Sequence, residues 1–158
     1  MNNLDKWKTF LEELADPQFV DVSSLKLKDH LAPEIWESNK LKPEIADSLY
    51  RIAKEFFEKL KLDPFVKIKD VTLTGSLATY NWSDLSDVDL HILLDFEQLE
   101  NRELMEDYFK EKIRNWNNTH EILIKGFEVE IYVQDSHEKH VSMGVYSVLK
   151  DGWFQNPR

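Results

Sequence analysis

The chain contains no cysteine, which excludes disulfides, thiolate zinc sites and a cysteine nucleophile together. It has no apolar run approaching the roughly 18 residues that a membrane span requires. Its start, Met-Asn-Asn-Leu-Asp-Lys, lacks a basic region followed by an apolar stretch, so no signal peptide is expected and the expected location is cytoplasmic, without membrane association. Positive charge is also in short supply: 20 Lys and Arg against 30 Asp and Glu give a formal net charge of −10 at pH 7. A surface of that sign repels nucleic acid at long range, so a large nucleic-acid footprint is not expected. The lysines of Leu60-Lys61-Leu62 and of Phe65-Val66-Lys67-Ile68-Lys69 are local basic candidates, read as solvated ends of a helix and a strand.

What is present is a globular chain: 158 residues, 42% hydrophobic and 12% aromatic, sufficient for one domain with a true core. Apolar residues at Leu4, Trp7, Leu11 and Leu14 predict a helix over 4–15, ended by Asp16-Pro17. Residues 17–41 read as irregular, with a short helix begun at Pro33. Pro43 opens a second helix running to Leu60, with Ile45, Leu49, Ile52, Ala53, Phe56 and Leu60 on one face. Strands are expected over 66–74 and 88–94, then a helix over 97–116 with Leu99, Leu104, Tyr108, Ile113 and Trp116 inward. Glu121–Ile124 and Phe127–Val133 read as a hairpin turning at Lys125-Gly126, and a last strand and turn follow from Val145. The expected architecture is a single α/β (α+β) domain spanning 1–158, a short mixed β-sheet with helices on one side. Residues 1–62 form its helical N-terminal part and 63–158 its sheet-containing core.

The chemistry is concentrated in Leu73-Thr74-Gly75-Ser76, followed ten residues on by Asp87-Val88-Asp89-Leu90. Gly75 lets the backbone approach a phosphate closely, and Ser76 can open a helix whose free N–H groups face an anion. Asp87 and Asp89 lie two apart in a strand and so share a face. Two like charges side by side are costly unless a cation sits between them, and carboxylates are hard ligands suited to Mg²⁺ or Mn²⁺. A third carboxylate is sought in Phe127-Glu128-Val129-Glu130-Ile131-Tyr132-Val133. Glu130 is preferred over Glu128 because the apolar run after it places it deeper in the sheet.

Read together, apolar-Gly-Ser, a spacer of about ten, Asp-apolar-Asp-apolar and a later glutamate in an apolar strand resemble the signature of DNA polymerase beta-like nucleotidyltransferases. The resemblance covers roughly residues 66–133, and Ser86-Asp87-Val88-Asp89-Leu90 looks like the small stand-alone members found in bacteria and bacteriophages. It implies an NTP, ATP or CTP, whose triphosphate sits on Gly75 and Ser76. It implies metal ions held by Asp87, Asp89 and Glu130, and attack of an acceptor hydroxyl on the α-phosphorus with loss of pyrophosphate. One departure is that small members often carry an arginine shortly after Gly-Ser, where this chain has Thr79-Tyr80. The acceptor is expected to be an RNA 3′ end such as that of tRNA, or a protein side chain. The competing expectation is a nucleotide-binding module of antitoxin type that acts by pairing with a partner protein.

Tyr80 and Trp82 flank the site loop and are candidates for stacking on the base, although loop aromatics more often pack back onto the domain. His91 continues the face of the aspartates and reads as structural. His120, His137 and His140 lack a zinc-ligand spacing, and Ser76 has no neighbouring histidine to make it a nucleophile.

Overall fold

A computed structural model of the chain describes residues 27–158; the helix expected over 4–15 lies outside the described residues. Where a short helix was expected from Pro33, the chain makes a turn and then a small hairpin, β1 (Trp36–Glu37) and β2 (Lys40–Leu41). The hairpin is closed by Ser38 and Asn39, both at positive φ.

The helix α1 (Pro43–Leu60) begins and ends as its sequence dictates. Pro43 supplies a pre-set φ at the first position, Glu44 and Lys59 sit at the ends where the helix dipole favours their charges, and Lys61 closes the helix in a left-handed conformation. Ile45, Leu49, Ala53, Phe56 and Leu60 form its buried stripe. The second helix, α2 (Arg102–Thr119), starts later than expected because the Asn101 side chain accepts from the Leu104 N–H and fixes the first turn there. Phe109 and Trp116 are buried and Leu99, Tyr108 and Ile113 pack against the core as expected, while Leu104 is exposed, which corrects that one residue of the expected inward set. The two helices meet where the Phe56 and Trp116 rings pack edge to face, and Tyr108 donates its hydroxyl to the Leu60 carbonyl at the open end of α1.

The sheet has the order β5-β6-β4-β3-β7-β8, formed by β3 (Asp70–Thr74), β4 (Val88–Leu94), β5 (Leu123–Ile124), β6 (Phe127–Asp135), β7 (Val145–Ser147) and β8 (Gly152–Gln155). The strand expected from residue 66 begins only at Asp70, since the Val66 N–H is taken by the Asp63 carbonyl in a turn. β4 and β6 run parallel while the other neighbouring pairs are antiparallel, so the fold is α+β with a mixed sheet. One face carries Val71, Leu73, Leu90, Ile92, Leu94 and Ile131, which join the buried stripes of the helices in a continuous core. The opposite face carries Thr72, Thr74, Asp89, His91, Glu130 and Tyr132, because side chains alternate along each strand. The crossover over residues 136–144 returns from the end of β6 to the start of β7 on the side of His91, whose imidazole feels the charge of His140.

Candidate active site

The polar face ends where β3 runs out and β4 begins, and there the strand register does the assembling. Thr74 pairs with Asp89, and Asp89 pairs with Glu130 on the parallel neighbour. Asp87 stands one residue before β4. Two strand pairings thus bring residues from three separated stretches to one edge, with Asp89 in the middle. Glu128, by contrast, pairs with Leu123 of the outer strand and points to solvent.

Immediately after Thr74 comes Gly75, at φ 79° and ψ −169°, a region closed to residues with a β-carbon. Its bare Cα faces Asp89. A β-carbon built there would stand 2.1 Å from Asp89 Oδ2, inside any permissible contact. Ser76 then opens a single 3-10 turn, Ser76–Ala78, in place of the longer helix that its position could have begun. The Ser76 hydroxyl donates to Ser86 Oγ at 2.6 Å, and Ser86 Oγ also accepts the Ser83 N–H. The glycine turn is therefore tied to the loop that delivers Asp87.

The turn is held from outside as well. The Trp36 indole N–H donates to the Leu77 carbonyl at 2.8 Å, both groups being buried. Gly144, at the end of the crossover, lies so close that a β-carbon there would meet the Ala78 carbonyl oxygen at 1.9 Å. These contacts have no signature in sequence, since the partners lie far from the turn along the chain.

Electrostatically the edge is negative. Burial, reinforced by the charges of Glu130 and Asp87, pushes the Asp89 carboxyl up to about 6. Burial and the charge of Glu130 raise Asp87 in the same direction. Among the described residues no lysine, arginine or histidine forms an ion pair with Asp87, Asp89 or Glu130. Glu130 instead accepts a hydrogen bond from the Tyr132 hydroxyl at 2.8 Å. Burial and that bond hold the Tyr132 phenol well above its ordinary value, so it stays a donor. The Tyr132 ring stacks on His91, with centroids 4.9 Å apart. Burial keeps His91 below its ordinary value, which agrees with a structural histidine.

Three facing carboxylates without a cationic neighbour are an all-oxygen donor set that fits Mg²⁺ or Mn²⁺. Their oxygens are not drawn into one tight cluster. Among the described residues the set whose ligand atoms all lie within 4.8 Å of one another is Asp95, Asp135 and His137, at the far end of β4 and β6. That set is accounted for by structure. Asp135 accepts the Phe96 and His137 N–H groups and pairs with Arg102, while Asp95 caps the Glu97 N–H.

The two aromatic candidates separate. Trp82 is buried, gives its indole N–H to the His30 carbonyl and carries the Lys28 ammonium 4.6 Å above its ring, so its side chain is committed to packing the segment before β1. Tyr80 is only half-buried and sits between backbone partners, its N–H on the Arg158 carbonyl and its own carbonyl on the Lys28 N–H. The cleft between the end of α1 and the start of α2, about 340 Å³ and lined by Leu62, Leu104 and Tyr108, lies at the opposite end of the sheet. Beside Glu130 lies a recess of about 80 Å³ lined also by Asn117, His120 and Glu128.

Residues 49–151 match the family model of the nucleotidyltransferase domain. Neither a curated protein nor a solved structure matches the chain. Among the described residues no helix is long and apolar enough to cross a membrane.

Proposed function

We propose, from a chain that belongs to the nucleotidyltransferase domain family, that it moves an NMP from an NTP to a hydroxyl acceptor with release of pyrophosphate. The observation that carries this is the register pairing of Asp89 with Glu130, one residue from the Gly75 cradle. It puts an anion-repelling carboxylate set directly beside a turn that an anion can approach, a combination that makes sense only with divalent cations between the two.

Asp87, Asp89 and Glu130 would hold Mg²⁺ or Mn²⁺, which when bound screens the triphosphate and lowers the pKa of the attacking hydroxyl. The chain's own groups do the rest. Gly75 offers a backbone without side-chain hindrance to the phosphates, and the Ser76 hydroxyl, two bonds from the turn backbone, can exchange its Ser86 partner for a phosphate oxygen. Tyr80 is the aromatic left available to a base. Glu130, hydrogen-bonded by Tyr132 and paired in register with Asp89, would complete the metal-holding set next to the attacking hydroxyl. The acceptor is an RNA 3′ end, such as that of tRNA, or a protein side chain.

The test is transfer of label from each α-labelled NTP, ATP and CTP first, with Mg²⁺ or Mn²⁺, onto total RNA, extract protein and the protein itself. Label should appear in one fraction and vanish with Asp87→Ala or Asp89→Ala. Transfer retained in either variant overturns the assignment. Nucleotide binding without transfer to any fraction would favour the partner-pairing module instead.

A further inference from the structure

The recess beside Glu130 lies between the end of α2 and the start of β6, at the end of the sheet where β4 also begins. Asn117, His120, Glu121, Glu128 and Glu130 are among the residues that line it. Its volume of about 80 Å³ is well below the roughly 300 Å³ that houses a whole small ligand, so it admits only the tip of a group. No lysine or arginine is among its lining residues. Glu121 and Glu128 stand outside the metal-holding set of the proposed function, so their charges stay free to repel phosphate oxygens. A triphosphate and a phosphodiester are both poor occupants, and an uncharged hydroxyl is a good one.

His120 follows the last residue of α2, and its backbone N–H closes the helix on the Trp116 carbonyl. Its ring lies flat on the buried Trp116 side chain, with centroids 3.7 Å apart and planes 13° from parallel. Nδ1 stands 3.2 Å from the Trp116 carbonyl and 3.0 Å from Thr119 Oγ1, whose own proton goes to the Asn115 carbonyl. A carbonyl can only accept, so Nδ1 carries the hydrogen, and the neutral imidazole keeps its lone pair on Nε2. Among the described residues no hydrogen bond engages Nε2. The ring is thus held by one face and by its Nδ1 edge, and an acceptor nitrogen remains on a residue that lines the same recess as Glu130.

We infer that this recess is the acceptor subsite, that it takes the hydroxyl of a protein side chain, and that His120 Nε2 accepts a hydrogen bond from that hydroxyl. A serine, threonine or tyrosine brings no phosphate with it, whereas the terminal ribose of an RNA follows a phosphodiester. The inference rests on Asp87, Asp89 and Glu130 holding the metal ions of the proposed function, which puts the attacking hydroxyl next to Glu130.

The experiment is label transfer by the full chain from each α-labelled NTP with Mg²⁺, onto extract protein and onto total RNA in separate reactions, each acceptor titrated in concentration. Extract protein should be labelled and RNA should not. His120→Phe keeps a ring for Trp116 and removes the nitrogens, and a melting curve checks that it folds. It should raise the extract-protein concentration needed for half-maximal rate by about 3- to 10-fold, the loss of one neutral hydrogen bond, and leave the KM for the NTP within about 2-fold. His120→Gln, which offers a side-chain carbonyl, should recover part of the loss. Label on RNA with none on protein, wild-type behaviour of His120→Phe, or an equal rise in both half-maximal concentrations overturns this inference and leaves the proposed function standing. Label on neither fraction removes both.

Discussion

Gly75 and Asp89 are fitted to each other by the absence of one carbon: Asp89 Oδ2 occupies the space in which a β-carbon on Gly75 would stand, 2.1 Å from it. The glycine is therefore required for the seat of the central carboxylate and, in the proposed function, would also admit a phosphate. Gly75→Ala should cost roughly 1–3 kcal/mol from backbone strain alone. It should also displace Asp89, lowering transfer by about 100-fold, the scale on which a misplaced reacting group is felt. A melting curve and a transfer assay on the same preparation check both. Wild-type transfer in this variant would mean that Asp89 is free to sit elsewhere.

The raised Asp89 carboxyl makes a pH prediction with a definite sign. Its value of about 6 in the folded chain lies above the unfolded aspartate value of about 3.9, so the native state holds the extra proton between the two. The associated stability is fully present below about pH 4 and is lost as the pH rises through 6. In the presence of a chelator, the wild-type melting temperature should carry a downward component across this window that Asp89→Asn lacks. Mg²⁺, which competes with that proton, should stabilise the wild type more at pH 7 than at pH 5. Identical pH slopes for the two proteins would count against a carboxyl raised by burial and by the charges of Glu130 and Asp87.

Tyr132→Phe keeps the ring on His91 and deletes only the hydrogen bond to Glu130. A bond at a partly exposed position is worth about 0.5–1.5 kcal/mol. Transfer should fall roughly 3- to 10-fold, with a higher Mg²⁺ or Mn²⁺ concentration needed for half-maximal rate. Tyr132→Leu should add a loss of stability as the stack goes. Unchanged metal dependence in Tyr132→Phe would assign the tyrosine to packing alone.

Trp36→Phe removes the donor for the Leu77 carbonyl in a buried place, and an orphaned buried carbonyl costs about 1–3 kcal/mol. The loosened turn should raise the KM for the NTP more than it lowers kcat, as measured by steady-state transfer. Loss of stability with KM untouched would separate the hairpin from the site.

Local rules carried the sequence reading a long way where the governing interactions are local. α1 begins at Pro43 and ends at Leu60 as its stripe and caps require, β4 matches its apolar run, and the Lys125-Gly126 turn joins β5 to β6 as expected. Errors arose where a distant or capping group decided. Asn101 sets the start of α2, and Leu104 in its first turn is exposed although the stripe places it inward. The Val66–Asp63 turn shortened β3. The β1–β2 hairpin replaced a helix because Trp36 is drawn under Leu77. The shared face of Asp87 and Asp89 follows from strand periodicity, and the preference for Glu130 over Glu128 from the apolar run after it. Tyr132, two residues beyond Glu130, falls on the same face by the same periodicity although it stands in an apolar run. Trp36 and Gly144 give no signal, because only the folded topology brings them to the glycine turn.

The parallel pairing of β4 and β6 has a kinetic side. Asp89 and Glu130 become neighbours only after α2 and the β5–β6 hairpin have carried the chain back alongside β4, a closure that cannot precede the loop entropy it must overcome. The β3–β4 pair can form earlier, and by itself it presents two aspartates and a glycine turn without the glutamate. A nascent or partly opened chain would thus hold an incomplete carboxylate set until β6 is paired with β4.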